Sequence, residues 1–219
     1  MEASGLPPRE ADVAPDVDPT STGHWVPADA GPLGLAAFAT TTFVLSVVNA
    51  NLVGGQYVDT VLPLALAFGG ICQLLAGMWE FRSGNTFGAT AFTAYGAFWI
   101  GVYIFLHTSV PGIIAGAAKG TTPNIGSALG LYLWAWTIFT AYMLVAALRT
   151  NVALVLTFVI LFITFILLSI GNSGGSSSTV HLGGWLGIIT AALAWYTSAA
   201  GVTNASWGRT VLPVFPLSG

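Results

Sequence analysis

Six long apolar segments, almost free of charged side chains, dominate this chain of 219 residues. Only 6% of the residues are charged, whereas a typical water-soluble domain has about 25%. A surface so poor in charge is not suited to water, so most of it must face lipid. Each segment approaches or exceeds the roughly 20 residues that a membrane-spanning helix needs. The segments lie near residues 33–53, 61–80, 87–107, 126–148, 151–170 and 182–203.

These segments predict an all-α integral membrane protein with six transmembrane helices. A β-barrel is disfavoured because barrel strands alternate in polarity, whereas residues 152–170 are almost continuously apolar. In lipid, a helix satisfies its own backbone hydrogen bonds segment by segment. We expect an acidic, disordered cytoplasmic tail at residues 1–31, a transmembrane domain at residues 32–213 and a short C-terminal tail at residues 214–219.

The basic residues indicate the orientation of the predicted helices. With the N-terminus inside the cell, Arg9, Arg82, Arg149 and Arg209 fall on the cytoplasmic side and only Lys119 falls outside. Basic residues near span ends favour the cytoplasmic side. We therefore expect both termini in the cytoplasm of a multi-pass protein of the cell (plasma or inner) membrane. Residues 111–123 and 173–179 are then predicted outer loops.

Polar side chains within the segments are candidates for a path through the membrane, because polar groups in lipid are costly and often functional. Thr157 and Thr164 share one helical face with Leu161 between them, a stripe suited to a narrow pore with an apolar waist. The competing interpretation is that threonines bond to their own backbone or to a neighbouring helix. The other polar candidates are Thr41, Thr42, Gln73, Glu80, Asn85, Thr86 and Thr93.

Glu80 lies two residues from Arg82 at the expected cytoplasmic edge, so a structural role there fits as well as a transport role. No Asp, Glu, Lys, Arg or His lies near the middle of a predicted span. This pattern disfavours a carboxylate proton relay and a basic anion channel, and it excludes a retinal protein, which needs a lysine. A small neutral or weakly charged solute fits what remains.

Other classes of site are also absent from the sequence pattern. No Cys, His or carboxylate cluster has the spacing of metal ligands, and no nucleophile–base pair indicates an enzyme. We therefore expect no enzymatic activity, no cofactor and no nucleic-acid partner.

Glycine and tryptophan give weaker signals about packing. Glycines four residues apart indicate close helix contacts, as in Gly112/Gly116, Gly126/Gly130 and Gly183/Gly187. Tryptophans near the predicted span ends indicate an interfacial belt, namely Trp79, Trp99, Trp185 and Trp207.

Several runs of residues point to a known family. They are PLGL at residues 32–35, TTFVL at 41–45, GGICQLLAGMWEFR at 69–82, GNTFGATAF at 84–92, IGN at 170–172, GWLG at 184–187 and GRTVLP at 208–213. In this order they resemble the acetate uptake transporters, which include bacterial succinate–acetate permeases and yeast acetate and ammonia-export proteins. The resemblance covers residues 32–213.

The resemblance implies a six-helix protomer with one pore, assembled as a homohexamer. It also implies uptake of acetate, succinate or related short carboxylates, either channel-like or proton-linked. By position, the family's apolar constriction falls on Phe38, Tyr95 and Leu161. The family's opening motif, Asn-Pro-Ala-Pro-Leu-Gly-Leu, differs from residues 29–35 at its first three positions, so we expect the inner vestibule to differ in detail.

A mechanism follows as a hypothesis. Hydroxyl and amide groups would replace water around the carboxyl oxygens of the substrate while its methyl group passes the constriction. The groups assigned to this role are Thr41, Thr42, Asn85, Thr86 and Thr93. Pro32, near the start of the first span, would leave free N–H groups at a positive helix end that attracts an anion.

Two alternatives stay open at this point. The first is a channel for another small solute, such as urea, ammonia or a small alcohol. The second is a membrane scaffold or sensor whose polar residues only hold helices together.

Overall fold

The computed structural model describes Trp25, residues 27–117 and residues 120–217. Within these ranges the chain is helical, apart from turns, extended segments and one isolated antiparallel bridge between Asn151 and Pro216. In the part of the chain that the structure describes, six helices are long and apolar enough to cross a membrane. The predicted all-α fold with six spans is therefore confirmed.

The helices are α1 (Gly31–Asn49), α2 (Leu62–Leu66), α3 (Gln73–Ser83), α4 (Thr86–Ile104), α5 (Val110–Gly116), α6 (Ile125–Ala147), α7 (Val152–Gly174) and α8 (Ser177–Trp207). A 3-10 helix at Gly55–Val61 and a π-helical segment at Ala67–Cys72 join α2 and α3 into one span, Gly55–Ser83. A second π-helical segment at Phe105–Ser109 joins α4 and α5 into the span Thr86–Gly116.

Both predicted outer loops are wrong in their extent. Pro111 lies inside α5, which carries the third span on to Gly116. Proline has no N–H to donate to the carbonyl four residues earlier, and the helix accommodates it by widening into the adjacent π-helical segment. The predicted loop at residues 173–179 is also mostly helical.

The connection between α7 and α8 contains only Gly175 and Ser176. Gly175 ends α7 with a φ of 67°, a left-handed conformation that glycine adopts without strain. Ser176 caps α8, since its side chain accepts a hydrogen bond from the Thr179 N–H. The serines that resemble a polar loop in the sequence therefore form the first turn of a helix.

The six spans form a closed ring in which each span contacts the next. The contacts in this ring are α1 with α3, α3 with α4, α4 with α6, α6 with α7, α7 with α8, and α8 with α1. The start of α1 and the end of α8 lie at the same end of the bundle, because the Ser198 hydroxyl donates to the Pro32 carbonyl at 2.6 Å. The side of the membrane that this end faces stays a prediction.

Glycine allows the helices to approach closely at two of the three predicted pairs. A Cβ atom at Gly187 would meet Ser46 of α1, and one at Gly130 would meet Ser173 of α7. Gly112 and Gly116 make no such contact within the described part of the chain, since a Cβ there would meet nothing within 4 Å.

Trp99 also departs from its prediction. Trp79, Trp185 and Trp207 are exposed on the bundle surface, as expected for an interfacial belt, whereas Trp99 is buried in the core. The reason is the length of the third span, which extends beyond its predicted end and leaves Trp99 well inside the helix.

Candidate functional site

A cavity of about 250 Å³ opens at the end of the bundle where α1 begins and α8 ends. Polar side chains from the helix ends surround its mouth, namely Asp29, Asn85, Asn151 and Asn204. Further in, the wall is mostly apolar. The lining residues on α1, α4 and α7 extend from the helix N-termini to Phe38, Tyr95 and Leu161. At 1.5 Å per helical residue, this floor lies about 14 Å from the mouth, a depth of about half the roughly 30 Å thickness of a hydrocarbon layer.

The mouth is built from three helix N-termini. The polar side chains that precede these helices accept hydrogen bonds from first-turn N–H groups: Asp29 from Gly31 at 2.8 Å, Asn85 from Gly88 at 3.0 Å and Asn151 from Leu154 at 2.9 Å. Each N-terminus carries the partial positive charge of the helix dipole. The mouth therefore combines polar side chains, one of them the acidic Asp29, with three helix N-termini whose dipoles favour an anion.

The floor consists of the three side chains that the family resemblance singles out. Phe38, Tyr95 and Leu161 are all buried and all line the cavity. The Phe38 and Tyr95 rings have centroids 5.7 Å apart, and the Phe158 ring lies 6.2 Å from Tyr95. The structure thus brings these residues together from α1, α4 and α7. Their role as the constriction of a transport path stays a prediction.

Five of the ten predicted site residues line the cavity: Phe38, Gln73, Asn85, Tyr95 and Leu161. The other five lie away from its wall: Thr41, Thr42, Glu80, Thr86 and Thr93. Thr41 and Thr42 follow Phe38 by one helical turn, so they lie beyond the floor. Thr93 faces Gly77 of α3 instead of the cavity, and Thr86 is exposed.

The threonine stripe on α7 is only partly on the cavity wall. Thr157 and Leu161 line the cavity. The hydroxyl of Thr157 donates to the Ala153 carbonyl, and that of Thr164 donates to the Ile160 carbonyl, both at 2.8 Å. Both hydroxyls therefore bond to the backbone of their own helix, as the competing interpretation of these threonines predicted.

Gln73 is the most unusual polar residue of the wall. It is 1% exposed, it lines the cavity, and its Oε1 atom has no hydrogen-bond partner within the described part of the chain. Buried polar atoms are normally hydrogen-bonded, and an exception calls for an explanation such as a ligand or water. An amide can offer either a donor or an acceptor to a bound molecule.

Glu80 takes part in the mouth indirectly. Its Oε2 atom accepts a hydrogen bond of 2.7 Å from the Nδ2 atom of Asn85, so it orients a residue of the cavity wall. It forms no ion pair with Arg82 in the described structure. The Arg82 guanidinium instead lies over the Trp25 ring, 5.8 Å from its centroid, and donates to the Trp25 carbonyl.

The sequence interpretation missed several wall residues. The most prominent are Phe87, Phe158, Asn151, Asn204 and Val214. Asn151 directly precedes a long apolar run, which is the signal of a helix N-cap and was available in the sequence. Val214 had no such signal, because it reaches the cavity only where the C-terminal segment folds back over α7.

Comparisons with known proteins agree with this architecture. Residues 11–219 match the model of the GPR1/FUN34/yaaH family. The chain is 41% identical to acetate permease A of Emericella nidulans over 201 residues, which cover 87% of this chain and 67% of that protein. It is 39% identical to the succinate-acetate/proton symporter SatP of Escherichia coli K12 over 188 residues, covering 85% of this chain and 95% of the symporter.

A solved structure of the bacterial acetate channel SatP has the same fold. The TM-score is 0.76 at 37% sequence identity, and the match covers 86% of this chain and 99% of the channel. The family match spans all the described residues. The chain is therefore a multi-pass membrane protein that belongs to the GPR1/FUN34/yaaH family.

Proposed function

We propose that this protein carries acetate and related short-chain carboxylates, including succinate, across the cell membrane in the direction of uptake. The observation that carries the proposal is the cavity, which leads from a mouth of helix N-termini to the apolar floor of Phe38, Tyr95 and Leu161. The printed names of the similar proteins, an acetate permease, a succinate-acetate/proton symporter and an acetate channel, support the same substrate class.

The two ends of the cavity suit the two ends of acetate. The positive ends of α1, α4 and α7 attract the carboxylate, and the side-chain N–H groups of Gln73 on the wall can donate to its oxygens in place of lost water. The methyl group then meets the apolar floor. A carboxylate without partners in a low-dielectric environment is strongly disfavoured, so this wall amide is the chemical core of the proposal.

The apolar floor acts as the size filter in this proposal. Phe38, Tyr95 and Leu161 are large side chains, and truncating one of them enlarges the gap through which a solute must pass. Their apolar surfaces also offer no hydrogen bonds to water or to extra hydroxyl groups on a substrate. Flux can be channel-like or coupled to a proton, and the proton can travel on the acid itself.

The assembly and orientation belong to the same proposal. We propose a homohexamer with one path per protomer and with both termini in the cytoplasm, so that the cavity faces the cytoplasm. The division into a tail at residues 1–31, a transport domain at residues 32–213 and a tail at residues 214–219 also stays a prediction. No enzymatic activity is expected of a chain whose relatives are named as transporters and channels.

The test is uptake of labelled acetate, lactate and urea into proteoliposomes. Leu161→Ala and Phe38→Ala should raise the lactate-to-acetate flux ratio severalfold. Leu156→Ala, an exposed position on the same helix α7, is the matched control and should leave the ratio unchanged. Unchanged selectivity in both floor variants would refute the floor assignment, and urea flux without acetate flux would favour the channel for a neutral solute.

A further inference from the structure

Two buried polar atoms lie beyond the cavity floor without a hydrogen-bond partner in the described part of the chain. They are the hydroxyl oxygen of Thr42 on α1 and the indole nitrogen of Trp99 on α4. Thr42 is 7% exposed and Trp99 is 2% exposed, and neither residue lines the cavity. Buried polar groups are normally hydrogen-bonded, and a buried indole N–H usually finds an acceptor. Both exceptions therefore call for a partner that is not part of the resting bundle.

Thr42 differs from the other buried threonines of the described structure. Each of the others donates its hydroxyl to the carbonyl four residues earlier in its own helix, and they are Thr41, Thr137, Thr140, Thr157, Thr164, Thr190 and Thr197. The Phe38 carbonyl lies four residues before Thr42, but the Thr42 hydroxyl makes no such bond. The backbone bond that accounts for threonines in membrane helices thus does not account for this one.

The neighbours of Thr42 place its side chain on the inner side of α1. Thr41 lies against Gly69 of the second span, and Ser46 lies against Gly187 of α8. These are the two spans that flank α1 in the ring. With about 3.6 residues per turn, Thr42 points between these two directions, toward the interior of the ring.

Trp99 occupies the corresponding side of α4. A Cβ atom at Gly96 would meet the Leu74 backbone of α3, and the Phe98 ring meets the Trp136 ring of α6 with centroids 5.1 Å apart. Trp99 lies between Gly96 and Phe98 around the helix, so its indole also points into the ring.

The two side chains lie at the same level of the bundle. α1 and α4 both begin at the mouth, and the Phe38 and Tyr95 rings meet with centroids 5.7 Å apart. Thr42 follows Phe38 by four residues, and Trp99 follows Tyr95 by four. Each therefore lies about 6 Å beyond the floor, on the helical face that carries the floor residue.

We propose that the Thr42 hydroxyl and the Trp99 indole N–H form a second binding site for the carboxylate, directly beyond the floor. This site rests on the proposed function, since it receives a solute that has crossed the floor. An indole N–H only donates hydrogen bonds, so the pair suits the accepting oxygens of a carboxylate and not an ammonium ion, which also only donates. Both atoms are closed to solvent in this structure, and they become accessible when the floor side chains move aside for the solute.

The unpaired groups give this site its effect on transport. A donor without an acceptor destabilises the resting bundle, and that loss is recovered when carboxylate oxygens arrive. The carboxylate consequently meets new hydrogen-bond donors at the point where it has left those of the mouth and wall. The site thereby lowers the barrier to crossing the second half of the bundle.

The first experiment is the initial rate of labelled acetate uptake into proteoliposomes, with thermal unfolding of each variant. Thr42→Val keeps the shape of the side chain without its hydroxyl, and Trp99→Phe keeps an aromatic ring without the N–H. Each should lower the uptake rate by about tenfold, the effect of losing one hydrogen bond to a charged group. Thr42→Val should also unfold at a higher temperature than the wild type, because it removes an unpaired buried hydroxyl.

Thr190→Val is the matched control, since Thr190 is equally buried but donates to the Leu186 carbonyl. It should keep the wild-type uptake rate and should not raise the unfolding temperature. This contrast separates an unpaired hydroxyl from one that is bonded within its helix.

The second experiment measures contact directly, by solid-state NMR of the protein in lipid bilayers. Tryptophan carries ¹⁵N in the indole ring, acetate carries ¹³C in the carboxyl group, and the dipolar coupling between them reports their proximity. We expect a coupling at saturating acetate that is stronger in Leu161→Ala, which opens the floor. Trp99→Phe should abolish this coupling, and Trp185→Phe, at an exposed position, should retain it.

Three results would overturn the site. They are a wild-type uptake rate in either folded variant, a lower unfolding temperature for Thr42→Val, and no coupling in Leu161→Ala at saturating acetate. The second would show that the hydroxyl already has a partner, such as a bound water. Acetate uptake by the wild type without the coupling would leave the proposed function standing and remove the site. The coupling in a protein that transports no acetate would do the reverse.

Discussion

The phenol of Tyr95 donates a hydrogen bond to the hydroxyl of Thr140 across 2.8 Å. The direction follows because the Thr140 hydroxyl donates its single proton to the Trp136 carbonyl. The Phe139 ring meets the Tyr95 ring edge-on, with centroids 5.3 Å apart. These contacts tie α4 to α6 and fix the orientation of the Tyr95 ring at the floor of the cavity.

Thr140→Val should destabilise the protein and loosen this floor. Valine has the same shape as threonine but leaves the buried Tyr95 hydroxyl without an acceptor, at a cost of about 1–3 kcal/mol. Tyr95→Phe should cost less, because Thr140 keeps its bond to Trp136. The double variant should be more stable than the sum of the two single changes implies, since it lacks the Tyr95 hydroxyl that Thr140→Val alone leaves unpaired. Thermal or denaturant unfolding in detergent measures all three, and strictly additive effects would argue against the coupling.

Gln73→Leu should raise stability and reduce transport at the same time. Leucine has a similar volume and removes a buried amide whose Oε1 atom has no partner in the described structure, a gain of about 1–3 kcal/mol. The same change removes the amide proposed to bind the substrate carboxylate, and a hydrogen bond to a charged group is worth about 1.5–3 kcal/mol, or roughly tenfold or more in affinity. Unfolding and acetate-uptake kinetics test the two effects separately.

Gln56→Leu is the control for this variant, because Gln56 is exposed in the 3-10 helix and should change neither property much. If Gln73→Leu transported acetate with wild-type affinity, the amide would have only a structural role. If it lost both stability and transport, the amide would instead have an internal partner.

The number and order of the spans follow from hydropathy alone, because lipid requires long apolar helices and few other features of the chain compete with that signal. The span ends do not follow, because they depend on local chemistry. Pro111 continues a helix here through a π-helical segment, and Ser176 caps a helix where its composition indicates a loop. Hydropathy does not report either effect.

The residues of the candidate site also differ in how well the sequence predicts them. Phe38, Tyr95 and Leu161 could be placed by resemblance, since aligned positions in one fold tend to keep their places. Thr41 and Thr93 were attractive as polar residues in apolar spans, but a polar type does not reveal which face of a helix it occupies. Asn204 and Val214 required knowledge of a chain reversal after α8, which no periodic pattern encodes.

Gly184→Ala should destabilise the contact between α1 and α8. A Cβ atom at this position would collide with the backbone of Asn49 and Ala50, which cannot rotate away as a side chain can. Overpacking of this kind costs about 1–3 kcal/mol. Gly112→Ala is the matched control, since its Cβ would meet nothing within 4 Å in the described part of the chain and alanine favours a helix by up to about 1 kcal/mol. Thermal unfolding of the two variants should therefore shift in opposite directions, and equal shifts would contradict the packing argument.

Asn204→Ala should release the C-terminal segment, residues 208–217, from the mouth of the cavity. The Asn204 Oδ1 atom accepts hydrogen bonds from the N–H groups of Val211 at 2.7 Å and Leu212 at 2.9 Å, and its Nδ2 atom donates to the Leu212 carbonyl at 2.8 Å. Beyond this clamp, the Phe215 carbonyl accepts from the Val152 N–H at 3.0 Å, so the segment closes over the start of α7.

Loss of three hydrogen bonds of about 0.5–1.5 kcal/mol each should speed amide hydrogen exchange across residues 211–217 by at least about tenfold. Ser206→Ala, an exposed position on the same helix, should leave the exchange rates unchanged. Because Val214 lines the cavity, the same variant should also widen the mouth and raise acetate flux if entry limits the rate. Exchange rates that match the wild type would mean that the backbone bonds to α7, not the Asn204 clamp, hold the segment in place.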